Sequence, residues 1–176
     1  MNEAKKKKRI TYVTGSLAFL APVLLMLAIF IGNNIFPFGE RSFLFSDMYH
    51  QYMPFFQELM NKIKAGEQIR YSWNVGMGSN FLALYIYYLA SPFNWLAFLL
   101  PSKYLIEFMS YAVVFKIGLA GFTAWFYLKY RGKGRKSAES MALLCPIFYA
   151  MSGFVAAYNW NVMWMDCVVL FPLILL

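Results

Sequence analysis

The sequence predicts an all-α polytopic membrane protein, and three observations carry that expectation. Of 176 residues, 61% are hydrophobic and 20% aromatic against 14% charged, with a mean hydropathy of +0.51, well outside the soluble norm. Apolar stretches recur along the chain at about the length, roughly 20 residues, that a helix needs to cross a hydrocarbon core. Ten of the sixteen basic residues fall in two short clusters, KKKKR at 5–9 and KYRGKGRK at 129–136. Such clusters mark cytoplasmic loops, because Lys and Arg resist translocation.

The net charge of +8 is therefore a signal of sidedness, and no nucleic-acid partner is indicated. Cys145 and Cys167 lie in or beside apolar stretches without C-x-x-C or metal-ligand spacing, which argues against a disulfide framework or a zinc site.

Residues 10–31 follow a basic start, but the apolar run is longer than a signal-peptide core. It leads into IGNNIFPFGE with no small-x-small cleavage pattern, so it reads as an uncleaved first transmembrane helix. Further apolar segments cover 81–100, 104–128 and 138–158, and another begins at 167–176. With both basic clusters in the cytoplasm, an even number of crossings must separate residue 9 from residue 129. Three candidate segments lie between them, so one must fail to cross. The weakest is FLALYIYYLASPFNWLAFLL at 81–100, broken by Ser91, Pro92, Phe93 and Asn94. Pro92 removes a backbone donor, and a lipid-exposed break leaves polar groups unpaired. This segment is expected to form a re-entrant or interfacial pair of short helices on the outer side.

The expected order is a cytoplasmic N-terminus, a first helix running outward over 10–31 and an external loop over 32–103. A second helix then runs inward over 104–128 and a third outward over 138–158, with a fourth starting at 167. Residues 1–176 are expected to be the N-terminal part of a single transmembrane domain of a larger protein, inactive alone, because the chain stops inside its fourth helix at FPLILL.

Within the external loop, Tyr52, Phe55, Phe56, Leu59, Met60 and Ile63 recur at helical spacing with polar residues between them. The pattern predicts an amphipathic helix over 54–65 in the membrane interface, with Pro54 in its first turn and Gly66 ending it. Just before it lies FLFSDMYHQYMPFF at 43–56. Ser46 can cap a short turn there, placing Asp47 where free N–H groups favour a carboxylate. His50, the only histidine, follows three residues later and can face the same way. Asp47 reads either as an interfacial helix cap or, held near apolar surface, as a base or metal ligand. His50 reads as an interfacial hydrogen-bonding residue or as a catalytic partner. Downstream, YSWNVGMGSNF contains a G-M-G that can let backbone approach a ligand, and Ser79 or Asn80 can cap a helix starting at Phe81. Lys116 lies mid-helix in YAVVFKIGLAGF, where a charge is costly. It is expected to meet a phosphate or an acid on a helix outside this chain, or equally an Asp or Glu partner that serves structure only.

Together FLFSDMYHQYMPFF, SWNVGMGSNFLALYIYYLASPFNWL and NWNVMWMDCVVLFPLILL resemble the start of the YfhO family of bacterial membrane proteins. The resemblance implies a GT-C-like transmembrane helix bundle with juxtamembrane helices in a long first external loop. The implied activity is transfer of a sugar from a polyprenyl-phosphate carrier to a cell-envelope polymer, such as a teichoic acid, on the outer face of the cell membrane. Implied partners are the lipid-linked sugar, the polymer, membrane lipid, a donor-synthesising glycosyltransferase and a flippase. Asp47 matches the loop aspartate that such enzymes use as base or metal ligand, and Asp166 matches an acidic residue of the second external loop, though it equally reads as marking the outer end of the fourth helix. A divalent cation, Mg or Mn, held by Asp47 and Asp166 would follow. The Asp-Glu pair of many GT-C motifs is Asp47-Met48 here, which leaves out the adjacent carboxylate. Arg70, Lys103 and Lys116 are the cations available to a departing phosphate, though Arg70 and Lys103 equally suit lipid headgroups. A transporter or flippase of lipid-linked envelope precursors also uses broken helices and intramembrane charge. A non-catalytic membrane scaffold would tolerate neutral residues at 47 and 166.

Overall fold

The computed structural model describes residues 3–132 and 136–176. Side chains of 6–8 and 133–140, most of the two basic clusters, lie outside what is described, as does Glu139 with them. The chain is an all-α membrane protein. Among the described residues, three helices are long and apolar enough to cross a membrane: Arg9–Gly32, Ser102–Arg131 and Met141–Tyr158.

The first of these belongs to α1, Glu3–Gly32, and the second to α4, Leu105–Arg131. α4 is the hub, with 56% of its most apolar window buried against 28% and 22% for the other two spans. It packs on α1, on α5 (Lys136–Ala150) and on α7 (Val162–Ile174). In an apolar solvent, close backbone approach replaces the hydrophobic drive between helices, so small residues line the seam. A Cβ added at Gly121 would collide with the Ala18 carbonyl oxygen, and one at Gly118 would sit 2.7 Å from a Val23 methyl. Leu17, Leu20, Leu24 and Ile29 of α1 remain exposed, the face such a helix offers to lipid.

After α1 the chain runs through a loop to a π-helical turn, Met48–Tyr52, which continues into α2, Met53–Ala65. Pro54 lies in the first turn of α2, and Gly66 ends it at φ 68°. Tyr52, Phe56, Leu59 and Met60 join Val113 and Ile117 of α4 in one buried cluster. The apolar stripe of α2 therefore faces protein, and only Ile63 of that stripe is largely exposed. The opposite face is covered as well: Glu58 and Lys62 are each only 7% exposed.

α3, Phe81–Leu84, is capped by Asn80, whose Oδ1 accepts from the Ala83 N–H at 3.2 Å. It runs on as a π-helical turn, Tyr85–Leu89, and meets the 3₁₀ helix Pro92–Leu99 at 103°. The break satisfies its own backbone. Ser91 N–H and Asn94 Nδ2 both donate to the Leu89 carbonyl, at 2.8 and 3.0 Å, and Asn94 N–H donates to the Ser91 carbonyl at 3.0 Å.

Two helix boundaries differ from expectation. The stretch expected over 138–158 is interrupted at Met151–Ser152, where Ser152 Oγ accepts from the Val155 N–H and starts α6, Gly153–Tyr158. The helix expected to begin at 167 begins at Val162. The charge of Asp166 suggested a boundary, but that charge is paired, so the helix continues through it.

Candidate functional site

Ser46 lies in the left-handed region at φ 50°. Its backbone carbonyl closes the turn, accepting from Tyr49 and His50 N–H at 3.1 Å each. The expected Ser46 side-chain cap is not formed. Asp47 takes the N-cap position itself and makes no capping hydrogen bond. Its half-buried carboxylate has no hydrogen bond or ion pair to any described residue. His50 is exposed, and its ring meets Tyr49 edge-on at 5.2 Å. Asp47 and His50 share the turn without touching through a hydrogen bond.

Tyrosines crowd this turn. Tyr52 packs edge-on against Tyr88 at 5.1 Å, and Tyr88 touches Tyr87 at 4.7 Å and Phe55 at 5.1 Å. Tyr88 donates to Gln51 Oε1 at 2.7 Å, and Tyr52 donates to Asn161 Oδ1 at 3.2 Å. The second bond ties the first loop to the start of α7. Burial pushes the Tyr52 phenol up, and Tyr88, Tyr87 and the Asp47 carboxylate push the same way. Tyr52 thus stays a neutral donor beside a carboxylate with lone pairs to spare.

Lys116 and Asp166 form a second cluster. The Lys116 ammonium, 0% exposed, lies 2.8 Å from Asp166 Oδ1. It also donates to the Val162 carbonyl at 3.0 Å and to Ser91 Oγ at 3.3 Å, with the Phe93 ring at 5.6 Å. Two of its three N–H donors thus go to Val162 and Ser91, and its charge faces the Asp166 carboxylate. The acid partner expected outside this chain is Asp166, within it. The same group pins the break at Ser91 to α4 and α7.

This arrangement bears on the expected cation. Asp166 is held by an ammonium, and no group of three or more His, Cys, Asp or Glu side chains sits together among the described residues. Hard divalent cations take several oxygen ligands, so the donor set of Asp47 and Asp166 does not fit Mg or Mn.

Arg70 and Lys103 join neither cluster. Both are exposed; Arg70 lends its carbonyl to the Leu82 N–H at 3.4 Å, and the Lys103 ammonium lies over the Tyr104 ring at 4.8 Å.

Glu58 is the residue that sequence reasoning missed. Its carboxylate accepts from Ser72 Oγ and from Asn74 Nδ2, at 3.1 Å to Oε2, and Lys62 Nζ lies 3.6 Å away. Burial opposes its charge, but the Ser72 and Asn74 hydrogen bonds and the Lys62 ammonium outweigh it and hold the carboxyl below the usual range. Glu58 thereby fastens the G-M-G loop to α2. That loop closes through a bridge between Ser72 and Ser79 and turns through Gly76, Met77 and Gly78, all at positive φ. The Glu58/Lys62 spacing was visible, but it reads as a solvated i,i+4 pair until the loop that covers it is placed.

The family model of the bacterial membrane protein YfhO matches residues 18–176, from the middle of α1 to the end of α7. The chain belongs to the YfhO family. No match was found among curated proteins or among solved structures. The matched stretch of this YfhO-family chain contains both clusters and the whole loop between α1 and α4.

Proposed function

We propose that this YfhO-family protein is a GT-C-type membrane glycosyltransferase. It moves a sugar from a polyprenyl-phosphate donor to a hydroxyl of a cell-envelope polymer, teichoic-acid-like, on the outer face of the membrane. The observation that carries the proposal is Asp47: a carboxylate with no protein partner among the described residues, at the head of the first loop, against tyrosines and beside an apolar surface.

Sidedness follows from charge and parity. With both basic clusters cytoplasmic, the bent pair 81–99 does not cross, and its 103° angle and internally satisfied break favour a re-entrant path. The loop carrying Asp47 then lies outside, at the depth where a polyprenyl phosphate keeps its tail in lipid and its sugar in water.

In the transfer, the acceptor hydroxyl attacks the anomeric carbon and the bond from that carbon to the phosphate oxygen breaks. Polyprenyl phosphate leaves with the electron pair. Asp47 takes the hydroxyl proton, the role of the base carboxylate in inverting glycosidases. Arg70 and Lys103, whose charges are unpaired by any described carboxylate, are available to the departing phosphate. Lys116 acts at a distance, by holding the Ser91 break and α7.

The test is transfer from a polyprenyl-phosphate sugar to the envelope polymer by the full-length protein in proteoliposomes. Asp47→Asn should keep expression and lower transfer by roughly 10²–10⁴-fold. Retained transfer would remove Asp47 as base. Movement of the lipid-linked sugar across the bilayer without any transfer would establish a flippase instead.

A further inference from the structure

A groove of about 390 Å³ runs along α2 beneath the G-M-G loop, walled by Phe55, Gln57, Glu58 and Asn61 on one side and by Asn74 and Gly76 on the other. We infer that this groove is a binding subsite for a neutral, hydroxyl-rich ligand: a pyranose or polyol unit of the acceptor. It deepens the transferase reading and rests on it only in calling the ligand an acceptor.

The lining chemistry carries the inference. Gln57 and Asn61, one turn apart, bond to each other through Gln57 Nε2 and Asn61 Oδ1 at 2.9 Å. That bond leaves Gln57 Oε1 as an acceptor and Asn61 Nδ2 as a donor on successive turns of α2, a set that one donating and one accepting hydroxyl complement. Asn74 is held through its Nδ2 by Glu58, which leaves its Oδ1 as a second acceptor. These groups are set in advance, because Glu58 locks the loop wall to the helix wall, so little ordering cost remains on binding. Phe55 supplies an aromatic wall for the apolar face of a sugar ring.

The lining's one carboxylate, Glu58, is already paired with Lys62, and no free cation lines the groove to hold a phosphate, which leaves the amides to select a hydroxyl-rich ring. The volume falls in the range of small-molecule sites, about 300–1,000 Å³. Position ties the groove to the reacting end: Phe55 packs against Tyr88 at 5.1 Å, and Tyr88 donates to Gln51 in the turn that Asp47 begins. Gln57 is ten residues from Asp47, roughly 15 Å along a helix. An acceptor with one hydroxyl at Asp47 can therefore place a neutral glycosyl or polyol unit along α2.

Saturation-transfer NMR of the full chain in nanodiscs tests this, with the methyl glycosides of glucose, galactose and N-acetylglucosamine as neutral probes and glycerol 3-phosphate as the anionic one. The expected result is transfer to ring protons of at least one glycoside, falling at least threefold in the Gln57→Ala/Asn61→Ala double variant and unchanged in Met77→Ala. Transfer to none of the glycosides, equal transfer in the double variant, or preference for glycerol phosphate would overturn the subsite. Glycoside binding by a protein that transfers no sugar would retire the transferase reading and keep the subsite. Enzymatic transfer without glycoside binding would do the reverse.

Discussion

Lys116 of α4 and Asp166 of α7 meet at 2.8 Å in a site where the ammonium is fully buried. The ammonium also binds the side chain of Ser91 and the Val162 carbonyl, so three elements distant in sequence converge on one charge. Loss of one partner leaves the other buried and unpaired. Lys116→Met or Asp166→Asn should each destabilise the protein by about 3–5 kcal/mol, and Lys116→Met with Asp166→Leu should recover much of that. Thermal unfolding in detergent of the two single variants and the double variant measures it; additive losses would show that the pair is not coupled.

Tyr52 joins the first loop to α7 through Asn161. Both side chains are buried, so Tyr52→Phe strands an amide oxygen and should cost about 1–3 kcal/mol. Hydrogen exchange should rise at the N-terminus of α7 and stay unchanged in α1.

Glu58 predicts a pH dependence with a definite sign. Its carboxyl is held below its ordinary 4.5, so its contribution to holding the 72–79 loop is complete above about pH 4.5 and is lost as pH falls through the lower, folded-state value. Between pH 7 and 5 the loop should stay attached. Fluorescence of the exposed Trp73, the reporter on that loop, should change only in the more acidic window, and Glu58→Gln should abolish the transition.

Gly121, in the seam between α1 and α4, and Gly153, at the start of α6, predict opposite outcomes. Gly121→Val drives a side chain into the Ala18 backbone and should cost about 1–3 kcal/mol or more. Gly153→Ala meets nothing within 4 Å at the start of α6 and should be neutral or stabilising by up to about 1 kcal/mol. Thermal unfolding distinguishes the two.

The sequence by itself determined the class, the first span and the long span after the loop, the break at 91–94 and the helix that follows the Asp47 turn. Each of these is written locally: in runs of apolar residues, in Pro92, in Gly66, in a helical repeat over 54–65. Tertiary structure alone decided which charges meet. Lys116 reads as a lone mid-helix cation until α7 is laid against α4, and Asp166 reads as a helix boundary until Lys116 neutralises it. Glu58 reads as a surface acid until the 72–79 loop folds over α2. Ionic and hydrogen-bonded partners lie far apart in sequence and are selected by packing. A charge buried without its partner would be expelled, so the site's polar geometry exists only once the helices have closed around it.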